Sequence, residues 1–295
     1  MAAEIAAGIL SHAELRVANV LTLAPRRTFA GSVKGERQTR RKGTSIEFAD
    51  YRDYAEGDDL RHLDWNVLAR LDTPVMRTYL DEQDLAVYLF LDASRSMDFG
   101  EPSKFDFARR IGTLLSLAAL NGGDAVYGVD PGTIAPQRAV RGRSGAGRLL
   151  SMVSLWQPVV RRGVAASVRT FAASGHRRGV VILASDGLDP ELAPAISALG
   201  AAGFEVLFSH VLSRTDLDPD LEGDLTLVDA ESDGRVDLTA NRFALQSYKE
   251  NLSAHIEGLR KATQRVGGRY LAFRSDESLE THGVRKLERD GWVKR

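Results

Sequence analysis

The 295-residue sequence contains no cysteine. Disulfide bonds, thiolate nucleophiles and cysteine-ligated zinc sites are therefore excluded. No apolar run approaches the roughly 18 residues that a membrane-spanning helix requires. The amino terminus, MAAEIAAGIL, also lacks the basic residues that begin a secretory signal. These absences predict a soluble, cytoplasmic protein without a membrane span.

An excess of charge of either sign is missing too, because 39 Lys and Arg residues balance 40 Asp and Glu residues. The net charge of -1 generates no overall field that would attract nucleic acid or an anionic membrane. The charges are unevenly spread, since residues 26–42 are basic and residues 47–64 are acidic. Adjacent blocks of this kind usually neutralise each other or face water. We therefore expect no nucleic-acid partner.

Familiar catalytic motifs are absent as well. The six histidines form neither an H-x-H nor an H-E-x-x-H motif, and no G-x-x-x-x-G-K-[ST] sequence marks a phosphate-binding loop. The Gly-rich stretch GRSGAGR at residues 142–148 does not fall cleanly between a strand and a helix, as a dinucleotide site requires. The sequence therefore favours a binding protein over an enzyme.

Apolar segments that alternate with helical patterns predict the fold. The predicted strands lie at residues 85–91, 124–129, 179–185, 204–212 and 269–273. Helices between successive strands imply right-handed crossovers, so we expect an α/β fold with a doubly wound, mainly parallel sheet and helices on both faces. An edge hairpin is predicted near residues 224–239, followed by a helix over residues 240–265.

The first part of the chain is predicted to lie outside the main α/β domain. Residues 4–23 carry apolar residues at helical spacing and predict one amphipathic helix. We assign residues 1–84 to this helix and a small subdomain, and residues 85–295 to the main domain.

Polar residues at the ends of two predicted strands form a candidate metal site. Asp92, Ser94 and Ser96 follow the first core strand, and Asp186 follows the strand at 179–185. Ligands of open parallel sheets bind beyond the carboxyl ends of the strands, and Mg²⁺ prefers oxygen ligands. We predict a site for Mg²⁺, or for Mn²⁺ or Ca²⁺, in which the hydroxyls coordinate directly and the carboxylates act through water. An ion held this way keeps positive charge and attracts an acidic side chain of a partner.

Other chemistries fit these residues less well. An EF-hand loop beginning at Asp92 requires Gly at its sixth position and Glu at its twelfth, where the chain has Met97 and Ser103. A phosphohydrolase with Asp92 as nucleophile requires a second carboxylate at the position of Ser94. A metal-dependent phosphohydrolase remains an alternative, as does a scaffold whose metal site is vestigial.

Two stretches resemble known families. LFLDASRSM together with LASDG resembles the metal-ion-dependent adhesion site of von Willebrand factor A-like domains. Residues 43–84 resemble the bacterial domain-of-unknown-function 58 (DUF58) family more narrowly. The residues that carry this second resemblance are Glu47, Phe48, Arg52, Tyr54, Gly57, Asp58, Asp59, Arg61, Asp64, Trp65, Ala69 and Arg70.

The resemblance implies a von Willebrand factor A-like fold and a role as an adaptor or assembly factor beside a MoxR-type AAA+ ATPase and a client protein. It implies that Asp92, Ser94, Ser96 and Asp186 hold the metal. The middle ligand of such sites is normally a threonine; we match none to that position and take Ser144 as the nearest candidate. Residues 43–84 are either a structural subdomain held by Arg–carboxylate pairs or a docking surface.

Overall fold

The computed structural model describes residues 8–27, 29, 48–55, 58, 60, 63–79, 84–129, 135–158, 163–232 and 234–295. The chain divides into two compact units. The large unit comprises Met1–Arg27 and Ala86–Arg295, and the small unit comprises Thr28–Leu85.

The strands are β1 Thr22–Leu23, β2 Phe48–Asp53, β3 Val75–Tyr79, β4 Ala86–Leu91, β5 Ala125–Val129, β6 Val140–Arg141, β7 Gly179–Ser185, β8 Glu205–Leu212, β9 Gly223–Val228, β10 Arg235–Ala240, β11 Arg269–Arg274 and β12 Val293–Lys294. The α-helices are α1 His12–Ala18, α2 Trp65–Leu71, α3 Lys104–Asn121, α4 Ala146–Ser154, α5 Val164–Ala173, α6 Leu192–Ala201, α7 Arg214–Leu217, α8 Arg242–Arg265 and α9 Val284–Arg289. None of the helices in the described ranges has the length and apolar character needed to cross a membrane.

A six-stranded sheet forms the centre of the large unit, in the order β11-β8-β7-β4-β5-β6. Neighbouring strands from β11 through β5 pair in parallel, and only β6 pairs in antiparallel fashion, with β5. Every residue of β4, β7 and β8 is buried. Helices flank this sheet, so the predicted mainly parallel, doubly wound α/β fold is confirmed.

Alternate residues of β4 face opposite layers of helices. Tyr88 and Phe90 pack in a core cluster that includes residues of α5 and α6. Leu89 points to α3, because a Cβ atom added at Gly112 of that helix would lie only 2.8 Å from the Leu89 Cδ1 atom. The absence of a side chain at Gly112 lets α3 approach the strand closely. Since side chains alternate along a strand, the continuous apolar sequence of β4 serves both layers.

The carboxyl ends of the parallel strands meet along one edge of the sheet, here called the carboxyl edge. Asp92 follows β4, Asp186 follows β7 and Ser213 follows β8. The loop after β4 reaches the end of β8, because a Cβ atom at Gly100 would lie 3.0 Å from the Ser213 Cβ atom. The fold therefore gathers polar side chains from distant parts of the sequence at this edge.

Beyond the sheet, β9 and β10 pair in antiparallel register from Gly223 with Ala240 to Val228 with Arg235. This confirms the hairpin predicted near residues 224–239. The helix predicted over residues 240–265 is confirmed as α8, which begins after Asn241, whose side chain accepts a hydrogen bond from the Ala244 amide. Loop residues 229–234 join the two strands of the hairpin.

The single helix predicted over residues 4–23 is wrong. Helix α1 covers only His12–Ala18 and begins at Ser11, which forms a capping box with Glu14. The chain then forms β1, which pairs with β12. The sequence signal was misleading because apolar residues continue past the helix, where Leu21 and Leu23 are both buried at the two-residue spacing of a strand. Residues 8–27 belong to the large unit, so their predicted assignment to the N-terminal subdomain is corrected. The small unit ends at Leu85, one residue beyond the predicted boundary.

The small unit contains β2 and β3, which pair in antiparallel fashion, and helix α2. Asp64 caps α2 by accepting hydrogen bonds from the Asn66 and Val67 amides. Tyr51 of β2 donates its hydroxyl hydrogen to the same carboxylate. Asp64 thus links the strand to the start of the helix.

A buried ion pair joins the chain ends of the large unit to the sheet. Arg269 at the start of β11 donates to the Glu205 carboxylate at 2.8 Å, and the two side chains are 4% and 0% exposed. Glu205 also accepts the Arg26 and Arg27 amides, and Arg269 donates to the Ala24 carbonyl. Removing one member of such a pair leaves an unpaired buried charge.

We therefore predict that Arg269→Met lowers the free energy of unfolding by about 3–5 kcal/mol, measured by urea denaturation. The matched control is Arg274→Met on the same strand, because Arg274 pairs with Asp276 while 53% exposed. An exposed pair of this kind contributes at most about 1 kcal/mol. Equal losses in the two variants would contradict the structural role assigned to Arg269.

Candidate metal site at the carboxyl edge

The Asp92 side chain is fixed between two strands. Its Oδ1 atom accepts the Ser94 amide at 3.0 Å, and its Oδ2 atom accepts the Ser185 hydroxyl at 2.6 Å. The Asp92 amide in turn donates to the Ala184 carbonyl of β7. The carboxylate is only 2% exposed. Asp92 therefore shapes the loop after β4 and holds it against the end of β7.

The two serine hydroxyls of this loop lie side by side. The Ser94 and Ser96 Oγ atoms are 3.1 Å apart. Ser94 is buried and Ser96 is half-buried, and a short 3-10 helix begins immediately after Ser94. The two-residue spacing of the serines in the sequence thus places their hydroxyls next to each other.

Asp186 forms an ion pair with a lysine that sequence reasoning missed. Lys104, the first residue of α3, places its Nζ atom 2.9 Å from Asp186 Oδ2 and 3.1 Å from Asp216 Oδ2. Lys104 and Asp186 are each 1% exposed. Burial alone lowers the pKa of Lys104, but the charges of the two carboxylates outweigh it and raise the pKa above its ordinary value. Lys104 is therefore a charged ammonium inside the site.

Asp92 and Asp186 lie close enough to repel each other. Burial, followed by the negative charge of Asp186, raises the pKa of Asp92 to about 6, against the hydrogen bonds from Ser185 and Ser94. The other oxygen of Asp186 accepts the Leu188 amide at 3.1 Å. The structure thus brings Asp92, Ser94, Ser96 and Asp186 together at the carboxyl edge. This is the position in which the sequence analysis placed them.

A buried histidine supports the backbone of Asp186. The Nε2 atom of His210 lies 2.6 Å from the Asp186 carbonyl oxygen, and its Nδ1 atom lies 2.6 Å from the Tyr270 hydroxyl. Burial lowers the pKa of His210 to about 4, so the ring is neutral at pH 7. Because a carbonyl only accepts, Nε2 carries the proton and Nδ1 accepts from Tyr270. The available sequence signal was a histidine within a largely apolar strand, which also contains Glu205 and Ser209.

The sequence signal for Lys104 was weaker than the signal for His210. Ser103 caps α3 by accepting the Asp106 amide, and Lys104 stands beside it as an ordinary residue of a first helical turn. Its partner Asp216 lies in α7, more than one hundred residues later. No local pattern relates these two residues.

Ser144 does not belong to this group. Strand β6 runs antiparallel, and its Arg141 pairs with Ala125, the first residue of β5. Ser144 follows Arg141 and therefore lies at the amino end of the parallel strands, away from the carboxyl edge. Sequence reasoning also overlooked Thr133, which follows β5 by four residues and lies outside the described part of the chain.

The family-like block between residues 43 and 84 is only partly described. Glu47, Gly57, Asp59 and Arg61, and the side chain of Arg52, lie outside the described residues. Asp58 accepts the Ala55 amide at 2.8 Å, so this acid bonds to the backbone of its own segment. Of the other predicted members, Asp64 is buried at 3%, whereas Tyr54 at 37%, Trp65 at 61%, and Arg70 in the last turn of α2 are exposed.

The chemistry of the donor set permits a magnesium ion at Ser94 and Ser96. Octahedral Mg²⁺ with bonds of about 2.1 Å separates adjacent ligands by roughly 3.0 Å, close to the spacing of the two hydroxyls. Among the described residues, no group of three or more His, Cys, Asp or Glu side chains is arranged to hold a metal. Ser94 and Ser96 would offer such an ion two neutral hydroxyl ligands.

Two solved structures show distant similarity. One is the conserved hypothetical protein BatB from Bacteroides thetaiotaomicron, with 14% identity, a TM-score of 0.38, and coverage of 70% of this chain and 98% of that chain. The other is an aerotolerance-related membrane protein from Bacteroides fragilis NCTC 9343, with 16% identity, a TM-score of 0.41 and the same coverage.

Relatives of similar length exist in mycobacteria. The uncharacterized proteins Rv1480 of Mycobacterium tuberculosis and Mb1516 of Mycobacterium bovis are each 27% identical to this chain over 265 residues, which is 87% of this chain and 83% of the relative. The family model described as "Protein of unknown function DUF58" matches residues 50–258, well over half of the sequence. The chain therefore belongs to the DUF58 family of proteins of unknown function.

Proposed function

We propose that the chain is a non-enzymatic adaptor that binds a partner carboxylate through a divalent cation at the carboxyl edge, in the manner of a metal-ion-dependent adhesion site. The observation that carries the proposal is the pair of hydroxyls at Ser94 and Ser96, 3.1 Å apart beside the buried Asp92. Mg²⁺ is the proposed ion, with Mn²⁺ or Ca²⁺ as substitutes. Bound there, it supplies a positive charge.

The charges around these hydroxyls support a weakly neutralised ion. Both oxygens of Asp92 and both oxygens of Asp186 already accept hydrogen bonds from protein groups. Lys104 compensates Asp186 in the absence of any metal. The protein therefore offers the ion little uncompensated negative charge, and a carboxylate from a partner completes the site.

The proposed partner is a MoxR-type AAA+ ATPase together with a client protein. This part rests on the family resemblance of residues 43–84. The exposed rings of Tyr51, Tyr54 and Trp65 in the small unit offer apolar area with polar tips, which suits protein recognition. Asp64, by contrast, caps α2 and has a structural role.

The phosphohydrolase alternative has less support. A nucleophilic Asp92 requires an accessible oxygen, yet the side chain is 2% exposed and both oxygens are hydrogen-bonded. The hydroxyl of Ser94 stands where a carboxyl acid-base is needed. The other alternative is a scaffold with a vestigial metal site, and metal-binding experiments distinguish it from the proposed adaptor.

We predict that Ser94→Ala and Ser96→Ala each weaken Mn²⁺ binding by at least roughly tenfold, because each removes a direct oxygen ligand. Isothermal titration calorimetry measures the affinity, and a metal-dependent rise in melting temperature provides a second measurement. Ser144→Ala is the matched control and is expected to bind as the wild type does. Absence of binding heat and of a melting shift in the wild-type protein would favour the vestigial scaffold.

The adaptor role is tested by capture of a purified MoxR-type AAA+ ATPase. We predict that the immobilised wild-type chain and Ser144→Ala retain the ATPase in Mg²⁺ and release it in EDTA. Ser94→Ala is expected to retain at most about one tenth as much, since it weakens the cation bridge. Capture that is unchanged in EDTA would count against a metal-dependent contact.

Lys104 provides a further test of the electrostatics. We predict that Lys104→Met lowers the free energy of unfolding by about 3 kcal/mol in EDTA, because Asp186 and Asp216 lose their shared cation. Millimolar Mg²⁺ is expected to restore more stability in this variant than in the wild type, as measured by urea denaturation. Lys249→Met is the control, since Lys249 forms an exposed pair with Asp218. A loss that Mg²⁺ leaves unchanged would indicate that no cation reaches the site.

A further inference from the structure

Hydrogen bonds hold residues 229–232 and 234, the described part of the loop at the end of the β9–β10 hairpin. Asp229 holds it by accepting the Glu231 amide at 2.8 Å on Oδ1 and the Ser232 hydroxyl at 2.7 Å on Oδ2. The Asp229 amide closes the loop by donating to the Gly234 carbonyl. These bonds fix the backbone on both sides of Glu231, so its side chain is presented from an ordered turn.

This turn contacts the loop that carries the candidate metal ligands. The Glu231 Oε1 atom accepts the Ser96 amide at 3.0 Å. The neighbouring Ala230 carbonyl accepts a longer bond of 3.4 Å from Arg95 Nη1. The carboxylate is therefore bound to the backbone of the same residue whose hydroxyl lies 3.1 Å from that of Ser94.

The hairpin that carries Glu231 has little packing of its own. Its two strands pair with each other and with no other strand in the described ranges, and isolated two-stranded hairpins are marginally stable in water. Ala240 at the base of the hairpin is buried and the Leu225–Leu238 pair is half-buried, whereas Leu227 and Val236 nearer the tip are 43% and 62% exposed. The end of the hairpin that carries Glu231 can therefore move while its buried base stays in place.

We propose that Glu231 is the chain's own carboxylate ligand for the Ser94–Ser96 loop, and that a partner's acidic side chain must displace it to bind. The inference rests on the proposed function, because it assigns an occupant to the same site. It also defines the partner chemistry more closely, as a glutamate or aspartate presented on a tight turn. An internal competitor reduces the apparent affinity of the partner in proportion to the fraction of sites it fills.

The contact is tested first without metal. We expect Glu231→Gln to accelerate hydrogen exchange of the Ser96 amide roughly fivefold to tenfold, because the charged acceptor is lost. Glu222→Gln removes the same charge from an exposed position just before β9 and is expected to leave that rate unchanged. Equal Ser96 exchange rates in Glu231→Gln and the wild type would overturn the inference.

The ligand role is tested next with Mn²⁺ as the probe, using paramagnetic broadening of backbone amide resonances. In the wild type and in Glu222→Gln we expect broadening at residues 92–96 and at residues 229–232. In Glu231→Gln we expect the broadening at 229–232 to fall several-fold while that at 92–96 persists. Broadening at 92–96 with no difference between Glu231→Gln and the wild type would overturn the inference alone. No broadening at 92–96 in any variant would overturn the proposed cation site and the ligand role with it.

Discussion

The buried ammonium of Lys104 is the contact on which the carboxyl edge depends. Charged groups are costly to bury unless they are paired, and this edge buries the carboxylates of both Asp92 and Asp186. Lys104 compensates Asp186 and reaches Asp216 as well. Hydrogen bonds from Ser94 and Ser185 support Asp92 instead, and burial followed by the charge of Asp186 raises the pKa of Asp92 to about 6. The two acids that look equivalent in the sequence therefore differ electrostatically.

The position of this ammonium follows from how α3 packs. Ser103 caps the helix and so fixes where Lys104 enters it. Gly112, two turns further along, lets the helix lie against β4 at a distance that a larger residue would prevent. His210 holds the backbone of Asp186 from the other side through its protonated Nε2 atom. Local helix chemistry and close packing thus set the distance between an ammonium and a carboxylate that are eighty-two residues apart in the chain.

The elements that could be predicted were those with strong local signals. Continuous apolar runs identified β4 and β7, and the residue after each run placed Asp92 and Asp186 at one edge. Strand β6 has only two residues, which is too short to show its direction in the sequence. Ser144, which follows β6, was therefore assigned to the wrong edge of the sheet. Strand β1 is equally short and was absorbed into a predicted helix. Lys104 with Asp216, and Glu231 with Ser96, meet only through tertiary structure, which the spacing of residues in one sequence does not encode.

The same charge balance explains why a site of this composition suits reversible recognition. Hydroxyl ligands bring no charge to a cation, and Asp186 already has a permanent counter-ion in Lys104. In the proposed function, affinity for the ion would depend on the carboxylate that completes the site, so the ion and the acidic side chain would stabilise each other's binding. The exposed Glu231 fits this proposal, because a partner's acidic side chain could replace it. A fully carboxylate-ligated metal would bind more tightly and would need no partner to complete it.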